Sequence, residues 1–416
     1  MVFLLLMHTS LQCLNSIIPN LKADEKLFLI LMLFTSESTT SAGRFESVRE
    51  NGVQLGRRLG FTKEASFRAL CKLMSEGLIE EITEQGRVGR PRKLRKVVAG
   101  SWRGDINNQD FFRARLVKQS FNLISNRLKY PKRAAQAGVS NSLFMLLLIL
   151  LAKADHSGVV STTSQLKLSE YTGIPRPQMQ RRLSQLQELG LITEIVPGLV
   201  EGAVLGKPNS IYYLNLNHPI LRATGIQAEP IPIKGNGCTS SEMDQLAIKL
   251  GHPGLHDRLA SAAQHAATPT DIKMTRISPG SWEQNAPDLL RRPAAKLYAQ
   301  CVIERYAAKL ISDPNSILSE SEWRNAQDHA TEDFVQELTG ERPTAVKKSC
   351  EYSRMFYSLC ADLEELSHQL ASLCIRVGKL PKRASTLNTP ITTYRILPSG
   401  IGKRSEIRLE RITLRT

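Results

Sequence analysis

Hydrophobic and polar positions alternate along this chain in a way that predicts two similar blocks of helix and hairpin. Two runs, LFLILMLF (27–34) and LFMLLLILLA (143–152), are apolar on every side. Each is well short of the roughly 20 residues that span a bilayer, so both read as buried core helices. After the first run, Leu55 and Leu59 share a helical face and Gly60 ends that helix. Thr62 is placed to cap a second helix in which Ser66, Leu70 and Leu73 recur at helical spacing, and Gly77 stops it. LIEEI (78–82) and KLRKVV (93–98) then read as two strands of a hairpin.

The same order returns in LKLSEYTGIPRPQMQRRLSQLQELGLITEI (166–195). Gly60 and Gly173 are 113 positions apart, and so are Gly77 and Gly190. Gly89 and Gly206, at the two hairpin tips, are 117 apart, so the second tip holds four more residues. A constant offset across a whole helix pair marks a tandem repeat.

Six domains or segments are expected: a first repeat (20–100), a basic helical connector (101–140), a second repeat (141–222), a linker with one short helix (223–284), a helical domain (285–380) and a basic tail (381–416). Within the helical domain, Phe356, Leu359, Leu363, Leu366, Leu370, Leu373 and Val377 follow a heptad spacing. That seam either pairs two subunits or packs inside the chain.

Charge sharpens the picture. The chain carries a formal net charge of +16 and a pI near 9.6, which favours a polyanionic partner. The densest cluster, GRVGRPRKLRK (86–96), falls on the first hairpin tip. Aromatic residues are only 6% of the chain, which disfavours stacking on exposed bases as the main binding mode. Seven scattered cysteines with no Cys-x-x-Cys argue against a disulfide scaffold and for a reducing, cytoplasmic setting. The opening MVFLLLMHTSLQC lacks the cationic start of a signal peptide.

Helix, turn, helix and basic hairpin, in LGRRLGFTKEASFRALCKLMSEGLIEE with GRPRK and in LSEYTGIPRPQMQRRLSQLQELGLITE with GKP, resemble the bacterial winged helix-turn-helix DNA-binding superfamily. The second copy is the closer match. The first differs in placing Ser66 at a usually apolar position and Phe67 at a usually polar one. The resemblance implies a mainly α fold with small β-wings, double-stranded DNA as partner, and a second helix in the major groove of each copy. The DNA-contacting residues would be Lys63, Glu64, Phe67, Arg68 and Lys72 in the first copy, with Arg87, Arg90, Arg92 and Lys93 on its wing. In the second they would be Arg176, Gln178, Gln180 and Arg181, with Lys207 on the wing. Met179, Leu183 and Leu186 would face the core. Arg suits guanine and Gln suits adenine at base edges in the major groove.

Enzyme motifs are missing from the sequence: SGIGKRS (399–405) is not a phosphate-binding loop, and no His-x-His or His-x-x-Arg occurs. His252 and His256 are separated by Pro253 and Gly254 and have no third ligand nearby, so no metal or cofactor is expected. The stretch AKADHSGVV (152–160) also resembles initiators of plasmid and phage replication. The expectation is therefore a sequence-specific DNA-binding protein, either a transcriptional regulator or a replication initiator of a mobile element, with a purely architectural DNA binder as a further alternative. No membrane association and no chemistry of its own are expected.

Overall fold

Two helices that are apolar all round must be covered all round, and this requirement organises the first half of the molecule. In a computed structural model of the chain, α1 (Ala23–Glu37) and α4 (Asn141–Lys153) pack directly against each other. Leu27 to Leu33 and Leu143 to Ala152 are buried without interruption. The structure describes residues 13–14, 16–37, 52–84, 92–98, 123–124, 139–155, 157–198, 209–222, 226–232, 293–312, 334–335, 392–397 and 408–414, with further positions between 360 and 380. The described part is mainly helical, with small antiparallel sheets.

In the first copy, α2 (Gly52–Arg58) and α3 (Lys63–Ser75) cross at a close point where Gly56 meets Ser66. A Cβ on Gly56 would overlap the Ser66 side chain, so a small polar residue stands where a larger apolar one is usual. Ser66 is buried, and its hydroxyl donates to the Thr62 carbonyl at 2.7 Å. Thr62 Oγ1 accepts from the Ala65 N–H at 3.2 Å, which caps α3 as expected. The chain then turns into β1 (Ile79–Glu84), which pairs antiparallel with β2 (Arg92–Val97).

The second copy repeats this with β3 (Val159–Val160), α5 (Gln165–Thr172), α6 (Arg176–Glu188), β4 (Ile192–Val196) and β5 (Ile211–Leu214). The three strands form a sheet in the order β3-β5-β4. The repeat extends to individual backbone hydrogen bonds. Glu76 N–H to Lys72 O, Gly77 N–H to Met74 O and Leu78 N–H to Leu73 O recur as Leu189 to Gln185, Gly190 to Gln187 and Leu191 to Leu186. Val98 N–H to Leu78 O recurs as Asn215 to Leu191, with the closing strand displaced by the four extra residues of the second tip.

By its contacts the chain divides into two compact units, residues 1–193 with 214–224, and residues 194–213 with 225–416. Both copies of the helix pair belong to the first. A short helix, α7 (Pro219–Arg222), follows β5.

The second unit corrects the expected linker and basic tail. A strand, β6 (Ile226–Pro232), stands inside the expected linker, and β7 (Thr392–Leu397) and β8 (Arg408–Leu414) stand inside the expected tail. They form an antiparallel sheet in the order β6-β8-β7, from segments far apart in the chain. Pro230 and Pro232 fit β6 because it is an edge strand, where a missing N–H is tolerated. The cations of the tail are partly internal. Arg395 is buried and pairs with Glu410 across the sheet at 2.7 Å, and Arg411 pairs with Glu229 at 2.5 Å.

Helix α8 (Pro293–Ser312) packs on β7, and Ser312 Oγ accepts from the Tyr394 N–H at 3.0 Å. The described helical residues between 360 and 375 are buried on several sides: Cys360, Leu363, Glu364, Ser367, His368, Leu370, Ala371 and Cys374. Tyr306 on α8 donates to the Glu364 carboxylate at 3.0 Å, and its ring meets Phe334 edge-on. Leu363 and Leu370, two members of the heptad seam, are thus part of an internal core. These two positions follow the internal of the two readings of the seam. The other members of the seam lie outside the side chains described.

One buried acid in this unit has a measurable consequence. Glu304 on α8 accepts from Gln300 Nε2 at 2.9 Å, and burial pushes its carboxyl up to about 8. A raised folded-state value means the folded chain holds a proton that the unfolded chain releases above the ordinary carboxyl range. Stability is therefore lost as pH rises from about 4.5 to about 8. Glu304→Gln should abolish that slope and leave the second unit more stable at pH 7, by about 1–3 kcal/mol. Denaturant titrations of both proteins at pH 5 and pH 7.5 check this. Parallel pH profiles would refute it.

Candidate nucleic-acid interface

Of the residues expected to face DNA, those on α3 and α6 lie mostly on the exposed sides of these helices. On α6, Met179, Leu183 and Leu186 are buried, as the spacing required. Arg176, Gln178, Gln180 and Arg181 are all exposed, and Ser184 and Gln187 extend the same polar side. Arg182 donates to Gln185 Oε1 at 2.9 Å and so braces the helix along its length. Pro175 stands at the N-cap without a side-chain cap, and its carbonyl accepts from the Gln178 N–H at 2.8 Å. Gly173, in the left-handed region at φ 71°, makes the turn between α5 and α6.

On α3, Ala69, Leu70 and Leu73 are buried, with Lys63, Glu64, Phe67 and Arg68 exposed. Lys72, expected as a phosphate contact, also has a partner within its own helix. Its ammonium is half-buried and bonds the Glu76 carboxylate at 2.5 Å, one turn along the same helix. That hydrogen bond holds the Glu76 carboxyl below the usual range. Arg57 and Arg58, at the end of α2, are exposed and add cations that were not among the expected contacts.

The hairpin stem also changes the reading of the basic run. In register, Glu80, Glu81 and Glu84 of β1 oppose Lys96, Arg95 and Arg92 of β2. Arg95 forms an ion pair with Glu81 at 3.3 Å, largely shielded from water. Opposed charges across a hairpin steady its pairing, and Arg95 serves the hairpin in this way. Arg92 and Lys93 lie on β2, Lys93 opposite Thr83. Arg87 and Arg90, at the tip, and Lys207, on the second tip, lie outside the described residues.

The feature that sequence reasoning missed lies behind these surfaces. Lys26 of α1 is buried to 1% exposure, and its ammonium donates to the carbonyls of Leu14, Ser16 and Tyr171 at 3.4, 2.6 and 2.5 Å. Tyr171 O is in the last turn of α5, among carbonyls that a helix cannot satisfy internally. A lysine of the first copy therefore caps a helix of the second. Burial lowers its pKa to about 8. Lys153 lies over the Tyr171 ring at 4.3 Å. Gly173 sits so close to the start of α1 that an added Cβ would be 2.2 Å from the Leu21 carbonyl oxygen. The only signal in the sequence was a lone cation at the head of the apolar run of α1.

Asp155, in the AKADHSGVV stretch, organises a tight turn into β3. Its carboxylate accepts from Ser157 N–H, Ser157 Oγ and Val159 N–H at 2.8, 2.6 and 3.0 Å. Among the described residues, no group of three His, Cys, Asp or Glu side chains is placed to hold a metal ion. His252 and His256 lie outside them. No described helix is long and apolar enough to cross a membrane. No family model, curated protein or solved structure matches the chain.

Proposed function

We propose that the chain is a cytoplasmic, sequence-specific double-stranded DNA-binding protein that acts as a transcriptional regulator, without catalysis of its own. The observation that carries this reading is the exposed side of α6. It presents Arg176, Gln178, Gln180 and Arg181 together, while its opposite side is locked into the core. An N-terminal helical surface of arginine and glutamine has the donors and acceptors that major-groove base edges require. The duplicated helix pair, the hairpin after each and the net charge of +16 support it further.

Three variants divide reading from holding. Arg181→Ala and Gln178→Ala should each lose about 1–3 kcal/mol of discrimination between a selected site and a scrambled one. Arg90→Ala should weaken both duplexes evenly. The intact protein should show a log–log salt slope of roughly −5 to −9, for some 6–10 phosphate contacts. A slope shallower than about −2 would exclude a DNA interface of this kind. Footprinting then separates regulation from replication. Protection over a promoter fits the regulator, and protection of direct repeats beside an AT-rich stretch would make the chain a replication initiator.

A further inference from the structure

At the 113-residue offset, Leu70 and Leu73 inside α3 match Leu183 and Leu186 inside α6, but one exposed side differs. Where α6 exposes Gln180, Ser184 and Gln187, the 113-residue offset places Phe67, Cys71 and Met74 on α3. All three are exposed, Phe67 to 68% and Met74 to 38%, and they recur at i, i+4 and i+7 along one side of the helix. Phe67 is no casualty of a crowded interior. The position beside it, Ser66, is the buried one, and the Gly56 crossing fixes the rotation of α3 that turns Phe67 outward.

An exposed phenylalanine costs solubility unless something covers it. Its surroundings indicate what that is. Lys63, one turn earlier on the same side, and Arg68, next in the chain, are exposed cations, as are Arg57 and Arg58 on the preceding helix; Glu64 is the one exposed acid in the first turn of α3. An apolar side chain set among cations suits a partner that is anionic overall and apolar at one point. Major-groove DNA has that character at the thymine 5-methyl group, which apolar side chains contact. Phe67 also lies in the second turn of α3, in the N-terminal half that reaches base edges when a helix enters the groove.

We propose that α3 reads thymine by its methyl group through Phe67, so that one copy selects bases by apolar contact and the other, through α6, by hydrogen bonds. This rests on the DNA-binding reading above. It assigns Phe67 as a specificity-determining residue and makes the target site chemically lopsided, rich in thymine methyls under the first copy.

The test uses the full-length chain and the duplex it selects from a random pool, synthesised with thymine or with deoxyuridine, which lacks only the methyl. Uridine placed in one half of the site should weaken the wild type about fourfold for each methyl lost, the effect of burying one such group. Phe67→Ala should bind the thymine duplex more weakly and no longer distinguish it from the uridine duplex. Phe67→Leu should retain the preference, and so should Gln180→Ala. Because the Phe67 ring is exposed, the variants should keep the wild-type fold by circular dichroism. Selective binding that ignores the methyls, with Phe67→Ala equal to wild type, overturns the proposal and leaves DNA binding intact. Failure to select any duplex overturns both. A Phe67→Ala protein that loses self-association in sedimentation while keeping the thymine preference would assign the stripe to a contact between copies, and also overturns it.

Discussion

Gly173→Ala is expected to destabilise the first unit by about 3 kcal/mol or more, whereas Gly77→Ala should cost about 1–2 kcal/mol. Both glycines have nearly the same backbone, φ 71° and 69°. The left-handed strain of adding a Cβ is therefore common to them. Their surroundings differ completely. Nothing lies within 4 Å of a Cβ on Gly77, while one on Gly173 meets the Leu21 oxygen at 2.2 Å, with Lys22 C and Ala23 N close behind. These are backbone atoms at the start of α1 and cannot swing aside as a side chain would. Relief requires the turn of the second copy to back away from the first helix of the first. Urea titration of the three proteins, followed by circular dichroism, measures the difference. Equal costs for the two substitutions would show that the close approach is absent.

Lys26→Met should have a pH-dependent effect. Folding lowers the lysine pKa from 10.5 to about 8. Between those values the unfolded chain holds more protons than the folded one, so wild-type stability rises with pH across that window. Below about pH 8 the folded protein carries a buried ammonium, whose desolvation offsets the hydrogen bonds it makes to three carbonyls. By pH 10.5 the amine is neutral, that penalty is gone, and it still has two N–H donors for the carbonyls of Leu14, Ser16 and Tyr171. Methionine fills the space but donates to none of the three carbonyls at any pH. The variant should thus be mildly destabilised at pH 7, and the gap to wild type should widen by about 3 kcal/mol by pH 10.5. Stability curves that stay parallel from pH 8 to 10.5 would refute the assignment. Because Lys26 and Gly173 act at neighbouring points of one junction, the double variant should lose less than the two single losses added together.

The parts of the fold legible in the sequence are those that local rules determine. The 113-residue offset, the cap at Thr62, the left-handed glycines after each helix and the inward row of Met179, Leu183 and Leu186 follow from spacing alone, and all are present. The exposed Arg176, Gln178, Gln180 and Arg181 follow from the same helical period. What sequence reading missed depends on partners distant in the chain. Arg395 read as one more basic residue of a tail, because Glu410 becomes its partner only when β7 and β8 pair. The ion pair of Lys72 with Glu76, four residues on, also went unread. Leu363 and Leu370 kept a coiled-coil rhythm that an internal helix also satisfies, so spacing alone left both readings open; Cys360, Ser367 and Cys374 are buried beside them. Lys26 could be noticed but not explained, since two of its three acceptors precede its own helix and the third lies 145 residues away.

The junction of α1 with α4, closed by Lys26 and Gly173, bears on what kind of DNA could satisfy the proposed interface. Two binding modules on a slack tether tolerate any separation of their targets within reach, and gain from each other only through local concentration. Two modules clamped at their backs behave as a caliper set to one opening. Each additional base pair between the two recognised segments moves one of them along the axis and rotates it by about a tenth of a turn. An insertion of five would carry the second segment to the far side of the duplex, while ten would restore its facing but not its distance. The genomic targets of such a chain would be defined by phase and interval as strictly as by base identity.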